Sequence, residues 1–189
     1  MDTPVRNPTT YKPPLSSSLK AVLDKNSDRT LRRSIHNLFS AGSMLEELRG
    51  IMGEPIGLTG VQYQILMVVA RLQEGKGVPI KEVAIQLRVV PSHVTVEVGK
   101  LTKRGFVEKL PNAEDRRSVL LALTEKGIQA VEQVTPVTSR VNDGLFDGFT
   151  KQDFQTLTKL MDRFVSNADR TLATVLYEKD MAGRRFNGK

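Results

Sequence analysis

Between Ile80 and Gly127 the spacing of the apolar residues changes from a helical period to a strand period, and this change limits the folds open to the chain. Two helical stripes come first, formed by Val83, Ala84 and Leu87, then by Val94, Val98 and Leu101. Steps of three and four residues are typical of a helix that buries one face. Pro91 opens the second helix, because proline is tolerated at the first helical position, and Gly105 ends it. The short link predicts a helix-turn-helix, whose second helix can enter a DNA major groove.

Two strand-like runs follow, at residues 106–110 and 118–123, and a segment too charged to be buried separates them. Thr124 then caps a further helix, with Gly127 three residues on. A basic hairpin tip beside a helix-turn-helix is typical of a winged helix, in which an arginine can enter the narrow, negative minor groove. We therefore predict a mainly α fold with a small β-wing, of the α+β class.

Several of these segments resemble the MarR family of bacterial transcription regulators. Asp115-Arg116-Arg117, followed by Leu123-Thr124-Glu125-Lys126-Gly127, is similar to the family's wing signature, and residues 58–66 are similar to its second helix. The matching helix-turn-helix residues are Glu82, Val83, Ala84, Val94, Thr95, Leu101, Gly105, Phe106 and Val107. The resemblance covers residues 30–176. The chain departs from the family at Pro79 and Val90, where a capping hydroxyl is common, and at Val96, where many relatives place a polar or basic residue.

The resemblance and the helical periods together predict three parts of the chain. Residues 1–29 form a proline- and serine-rich arm, partly flexible; it is either a disordered tail or an arm that crosses a partner, anchored by Tyr11, Leu15 and Leu19. Residues 30–177 form a MarR-type domain, with a winged helix at about 58–124 between dimerisation helices at about 30–52 and 125–177. Residues 178–189 form a flexible basic tail. Pro136 is expected to kink or interrupt the helix that follows the wing.

Composition excludes several classes of function. The net charge of +7 suits a polyanionic partner, although an excess of surface lysine would give the same value. The absence of cysteine excludes disulfides, thiol switches and thiolate metal sites. With two distant histidines and no phosphate-binding glycine motif, the chain is not expected to be an enzyme or to carry a cofactor or metal. The N-terminus lacks a signal-peptide core and the longest apolar run is too short for a bilayer, so we expect a cytoplasmic protein without membrane contact.

Apolar residues are abundant in the helices at both ends of the chain. These helices either pack together within one chain or interleave with a second copy. The larger apolar burial on interleaving favours a homodimer, at about 25 cal/mol per Å² of buried surface. The resemblance also implies a helical dimer that holds two wings apart. Two-fold symmetry then predicts a palindromic operator in double-stranded DNA, with half-sites about one helical turn apart.

Candidate DNA contacts lie on the second helix of the helix-turn-helix. Ser92 and Thr95 can bond to bases or phosphates, and Val96 can contact a thymine methyl group. His93 can donate to DNA or simply be solvated. Lys100 and Lys103 are candidates for phosphate contacts, with a solvated helix face as the alternative for both.

The wing supplies further candidates. Arg117 is predicted to enter the minor groove and Arg116 to contact the backbone. The family pattern implies that Asp115 orients Arg117 through a charge-assisted hydrogen bond. Alternatively, the pair of Asp115 and Arg117 only ties the wing to its domain.

The resemblance also implies an input signal. Relatives bind aromatic acids or phenols between the dimer helices and the winged module, so we expect a small aromatic or phenolic ligand, or its thioester, to release DNA from a repressor. The candidate lining is His36, Phe39, Ser43, Tyr63 and Met67. Two alternative functions are a winged helix that binds DNA nonspecifically or binds RNA, without a ligand response, and a winged helix used for protein contacts.

Overall fold

The computed structural model describes residues 11–115 and 118–186, without the side chains of residues 183–186. The chain divides into two compact units, Met1–Pro136 and Val137–Lys189, which are described separately. The helices are α1 (Arg29–Gly53), α2 (Gly60–Leu72), α3 (Ile80–Leu87), α4 (Pro91–Lys103), α5 (Glu125–Leu145) and α6 (Lys151–Phe186). The predicted class, mainly α with a small β-wing, is confirmed.

Three short antiparallel strands complete the first unit. They are β1 (Val78–Pro79), β2 (Val107–Pro111) and β3 (Val119–Leu123), and β3 lies between the other two. The predicted hairpin is confirmed as β2 and β3, with Val107 opposite Leu123 and Pro111 opposite Val119. Strand β1 was missed, because two residues are too few to show a strand period.

The core of the first unit forms where α2, α3, α4 and the sheet meet. Ile65, Leu66 and Val69 of α2 are fully buried there, as are Leu101 of α4 and Leu121 of β3. The apolar residues of α2 recur every three or four positions, as on one face of a helix. Leu121 lies on the central strand, where side chains alternate between the two faces of the sheet. The helix residues and the strand residues therefore pack into one core. This core holds the helix-turn-helix and the wing together.

The helices of the first unit begin in different ways. Thr59 starts α2 with a capping box, in which the Gln62 amide N–H donates to Thr59 Oγ1 (3.3 Å) and the Thr59 N–H donates to Gln62 Oε1 (3.4 Å). Pro79 and Val90, which precede α3 and α4, make no side-chain cap, as their side chains predict. Helix α4 instead begins with Pro91, whose missing N–H needs no partner there.

Asp28 lies at the start of α1, but its side chain makes no capping hydrogen bond to the helix. The Asp28 carboxylate accepts hydrogen bonds from the Ser16 N–H (2.8 Å) and Ser16 hydroxyl (2.6 Å), and from Arg32 Nε (2.9 Å). Arg32 also donates to the Pro14 carbonyl oxygen (2.8 Å). These bonds hold residues 14–16 of the arm against the first turn of α1.

Because of these hydrogen bonds, we expect the Asp28 carboxyl to make the stability of the protein depend on pH. Arg32 and then Ser16 lower the pKa of the Asp28 carboxyl far below its ordinary value. Such a carboxylate stabilises the folded state fully above its unfolded pKa, about 3.9, and progressively less as the pH falls toward its folded pKa. We expect Asp28→Asn to lower the urea midpoint at pH 7, and the difference from the wild type to shrink below about pH 4.

The matched control for Asp28 is Asp147→Asn, which changes an exposed aspartate in the second unit. Its urea midpoints should follow those of the wild type across the same pH series. A deficit of Asp28→Asn that stays constant down to pH 2 would contradict the role given to the ionised carboxylate.

The second unit contains the end of α5 and the whole of α6. Thr150 and Asp153 cap α6, since Thr150 Oγ1 accepts from the Asp153 N–H (3.1 Å) and Asp153 Oδ2 accepts from the Thr150 N–H (3.0 Å). Before this cap, the Phe146 ring packs edge-on against Phe149 and Phe154, with centroids 5.7 and 5.0 Å apart.

The C-terminal helices differ from the sequence predictions at two places. Helix α5 continues through Pro136, so of the two predicted effects, a kink or an interruption, the interruption is absent. Pro136 is exposed, and loss of a single backbone hydrogen bond there does not end a helix of this length. Helix α6 continues to Phe186, where a flexible tail from residue 178 was expected. Residues 178–186 are mostly strong helix formers such as Glu, Lys, Met, Ala and Arg, which favour continuation of the helix.

Candidate nucleic-acid interface

Helix α4, which we call the reader helix, is held by its apolar face. Val94, Val98 and Leu101 are fully buried where the helix packs against α2, α3 and β2. These residues lie four and three positions apart, so a single stripe of the helix faces the core. The opposite stripe is left to solvent.

The exposed stripe contains the predicted base-contacting residues. Ser92, His93, Thr95 and Val96 are all exposed, and we call them the reader face. Thr95 Oγ1 donates to the Pro91 carbonyl oxygen (2.9 Å), which orients the hydroxyl and leaves its lone pairs available to a donor. The structure therefore brings the four residues together on the first two turns of one helix.

The C-terminal end of the reader helix is tied to the loop between α1 and α2. Arg104 donates from Nη1 to the Gly57 carbonyl oxygen (2.8 Å) and from Nη2 to that of Ile56 (3.2 Å). Its guanidinium carbon lies 5.0 Å from the centroid of the Phe106 ring, and Lys126 Nζ lies 4.8 Å from the same centroid. Arg104 thus serves the packing of the domain, while Lys103 beside it is exposed.

Glu97 was missed as a functional residue by the sequence analysis. It is 9% exposed, its Oε1 accepts from Lys100 Nζ (2.6 Å), and its Oε2 accepts from Gln62 Nε2 (2.9 Å). The Lys100 hydrogen bond and then the Gln62 hydrogen bond lower the pKa of the Glu97 carboxyl, although burial raises it. The signal in the sequence was a carboxylate on the apolar stripe, with a lysine three residues on.

The wing tip is organised by short polar contacts. Asn112 accepts from the Glu114 N–H (3.0 Å) and donates to Ser118 Oγ (2.8 Å), and the Ser118 N–H donates to the Asp115 carbonyl oxygen (3.0 Å). Arg116 and Arg117 lie outside the described residues. Their DNA contacts, and the orienting role of Asp115, remain predictions.

The predicted ligand-contacting residues occupy two different environments. His36, Phe39 and Ser43 are exposed on one face of α1, with Phe39 74% exposed. Tyr63 of α2 is instead buried, and its hydroxyl lies 3.6 Å from Met52 Sδ; Met67 is half-buried. A cavity of about 470 Å³ between the arm and the start of α1 includes none of these five residues.

The described parts of the chain show neither a metal-binding cluster nor a membrane-spanning helix. In residues 11–115 and 118–186, no cluster of three or more His, Asp or Glu side chains is arranged to hold a metal ion. None of the helices described is both long enough and apolar enough to cross a membrane.

The fold and the exposed helix face define a class of protein. A family model described as a winged helix DNA-binding domain matches residues 58–127, which contain α2 to α4, the sheet and the start of α5. The uncharacterized HTH-type transcriptional regulator YhbI of Bacillus subtilis is 27% identical over 110 residues, which are 58% of this chain and 70% of that protein. Residues 58–127 thus match a winged helix DNA-binding domain.

Solved structures of one family resemble the chain. A MarR protein from Peptoclostridium difficile is 25% identical, with a TM-score of 0.63 over 81% of this chain and 96% of that one. A mutant MarR from Escherichia coli, complexed with operator DNA, is 26% identical, with a TM-score of 0.59 over 72% and 94% of the two chains. The chain is thus similar to transcription regulators of the MarR family, as the sequence resemblance predicts.

Proposed function

We propose that this regulator is a homodimeric repressor that recognises a palindromic operator and is released by a small aromatic ligand. The observation that carries the proposal is the two-sided reader helix. Its apolar stripe is buried in the core, while the reader face is exposed to solvent. A rigidly mounted helix with polar groups in its first turns is suited to the major groove.

Each residue of the proposed site has a distinct role. Ser92 and Thr95 hydrogen-bond to base edges or phosphates, His93 donates to a base or phosphate, and Val96 contacts a thymine methyl group. Lys103 contacts a phosphate from the exposed end of the helix. Lys100 can do so only if its ammonium leaves Glu97.

The wing completes the proposed site. Arg117 enters the minor groove, Arg116 contacts the backbone, and Asp115 orients Arg117. The support is that these residues come between β2 and β3 in the sequence, and that these two strands pair with each other in the same sheet as β1.

Exposed apolar residues support the homodimer. On α1, Ile35, Phe39 and Met44 are exposed; on α6, considered by itself, Leu160, Phe164, Leu172 and Val175 are exposed. Exposed apolar surface of this extent on a helix marks an interaction site. A two-fold dimer would present two reader faces, which gives a palindromic operator.

Repression and ligand release follow from the same arrangement. A dimer bound to its operator excludes other proteins from that DNA. An aromatic ligand that binds a dimer with wrongly spaced reader helices weakens DNA binding by its differential affinity for the two states. The residues proposed to contact it are His36, Phe39, Ser43, Tyr63 and Met67. The exposed Phe39 ring and the half-buried Met67 are suited to an aromatic ring.

Selection from a pool of random duplexes, followed by footprinting at a stated salt concentration, tests the proposal. We expect one discrete protected site with inverted half-sites about one helical turn apart. Uniform coating of every duplex would instead indicate an architectural protein, and preference for RNA would indicate an RNA-binding winged helix. Adding benzoic or salicylic acid tests ligand release.

The wing arginine gives the sharpest mutational test. We expect Arg117→Ala to weaken operator binding by about tenfold or more, because a charged group is lost from the minor groove, and to leave the dimer intact in ultracentrifugation. Lys179→Ala, which removes a lysine from α6, is the control and should bind the operator like the wild type. Unchanged operator affinity of Arg117→Ala would refute the wing assignment.

A further inference from the structure

A nearly buried carboxylate occupies the middle of the reader helix. Glu97 is 9% exposed, although its neighbour Val96 is 57% exposed. Burying an ionised carboxylate is costly unless it is paired and hydrogen-bonded. Both oxygens of Glu97 have partners, with Lys100 Nζ at 2.6 Å from one and Gln62 Nε2 at 2.9 Å from the other.

Gln62 is itself held in one orientation. It is 6% exposed, and its amide oxygen accepts from the Thr59 N–H in the capping box of α2 (3.4 Å). Its amide nitrogen is therefore turned toward Glu97. The carboxylate of Glu97 is thus placed by the start of α2, a segment 35 residues earlier in the chain.

The position of this carboxylate determines what Lys100 can do. Lys100 is on the exposed side of the helix that carries the reader face, and its side chain is 56% exposed. A lysine there would contact phosphates of any DNA sequence, because phosphate contacts carry no sequence information. Its ammonium is instead neutralised by Glu97, which cannot turn away because Gln62 holds it.

We infer that Glu97 is a specificity-determining residue, which holds Lys100 back from the DNA backbone and so keeps the affinity for nonspecific DNA low. The inference rests on the proposed function, in which the reader helix contacts DNA. Glu97 acts through Lys100 and Gln62 rather than by touching a base. The salt bridge lowers the sequence-independent part of binding, while the reader face keeps the sequence-dependent part.

A double-mutant cycle on the full-length protein tests this coupling. The proteins are the wild type, Glu97→Gln, Lys100→Gln and the double variant, and the probe is a fluorescent duplex of random sequence titrated at several salt concentrations. Glutamine at position 97 keeps an oxygen that can accept from Gln62 and removes the charge that holds Lys100. Thermal melts confirm that each variant is folded.

Glu97→Gln should bind the random duplex roughly five times more tightly than the wild type. The slope of the logarithm of the binding constant against the logarithm of the salt concentration should steepen by about 0.9 for each Lys100 that contacts a DNA phosphate. Lys100→Gln alone should leave that slope unchanged, because the wild-type ammonium contacts Glu97 rather than a phosphate. In the Glu97→Gln background, Lys100→Gln should reverse the gain. The preference for the selected operator over random DNA should fall in Glu97→Gln only.

Glu82→Gln is the matched control for loss of a negative charge. Glu82 is in the neighbouring helix α3, and its carboxylate accepts from Gln86 Nε2 (3.0 Å). Its replacement removes the same charge without releasing Lys100. A gain as large as that of Glu97→Gln would show a general charge effect and overturn the inference.

Other outcomes also decide the question. If Lys100→Gln weakens random-duplex binding by the same factor in both backgrounds, Lys100 contacts phosphate regardless of Glu97 and the inference is wrong. Should Glu97→Gln be unfolded, the salt slope of Lys100→Gln alone still decides, since a slope smaller than that of the wild type by about 0.9 overturns the inference and an equal slope supports it. A wild type that binds no duplex overturns the proposed function as well, whereas DNA binding without coupling overturns this inference alone.

Discussion

Replacing Gly127 with alanine is expected to destabilise the protein by about 3 kcal/mol or more. A methyl group built at this position overlaps the carbonyl oxygen of Phe106 and lies 3.3 Å from Leu123 Cδ2. The Phe106 carbonyl cannot easily move away, because it accepts from the Thr124 N–H (3.2 Å) and the Thr124 hydroxyl (3.3 Å). The start of α5 would therefore separate from the segment that follows the reader helix.

The measurement for Gly127→Ala is the midpoint of thermal unfolding. For a chain of this size, 3 kcal/mol corresponds to a decrease of roughly 6–12 °C. Gly42→Ala is the matched control, because a methyl group at Gly42 in the middle of α1 meets nothing within 4 Å. Alanine has the higher helix propensity, so this control should gain up to about 1 kcal/mol. A midpoint for Gly127→Ala within 2 °C of the wild type would contradict the predicted overlap.

Leu101→Ala is expected to cost about 3 kcal/mol and to weaken operator binding with it. Leu101 is fully buried, and its carbonyl oxygen accepts from the Phe106 N–H (3.0 Å) at the end of the reader helix. Truncating it leaves a cavity beneath the helix that carries the reader face. Urea unfolding measures the loss of stability, and titration of the selected operator measures the loss of affinity.

Val96→Ala separates the two effects of Leu101→Ala. Val96 is on the same helix but is 57% exposed, so its truncation should change stability by less than about 0.5 kcal/mol. Any loss of operator affinity in Val96→Ala would then come from the lost base contact. A stable Leu101→Ala would show that the reader helix is not held by its buried stripe.

The helix-turn-helix and the wing could be predicted because their signals are local. Steps of three and four residues identified α3 and α4, and two apolar runs around a charged turn identified β2 and β3. Strand β1 could not be found in this way. Its two residues form a strand only because Val78 pairs with Leu121, which lies 43 residues away in the chain.

The partners of charged residues could not be predicted either. Asp28 directly precedes α1, but its carboxylate accepts hydrogen bonds from Ser16 of the arm. Lys100 suggested a phosphate contact, but Glu97 engages it, and Gln62 of another helix fixes Glu97. A charged side chain that could pair with several groups pairs with the one that the fold brings nearest.

By itself, the sequence determined the order of the main helices and the hairpin strands, the buried and exposed stripes of the reader helix and the resemblance to the MarR family. These depend on periodicity and on residues close together in the chain. Three features were decided only by the tertiary structure. The buried carboxylate of Glu97 binds Lys100, Arg104 joins the reader helix to the α1–α2 loop, and Gly127 has no room for a side chain. Each of these depends on a contact between segments far apart in sequence, and such contacts leave no local pattern.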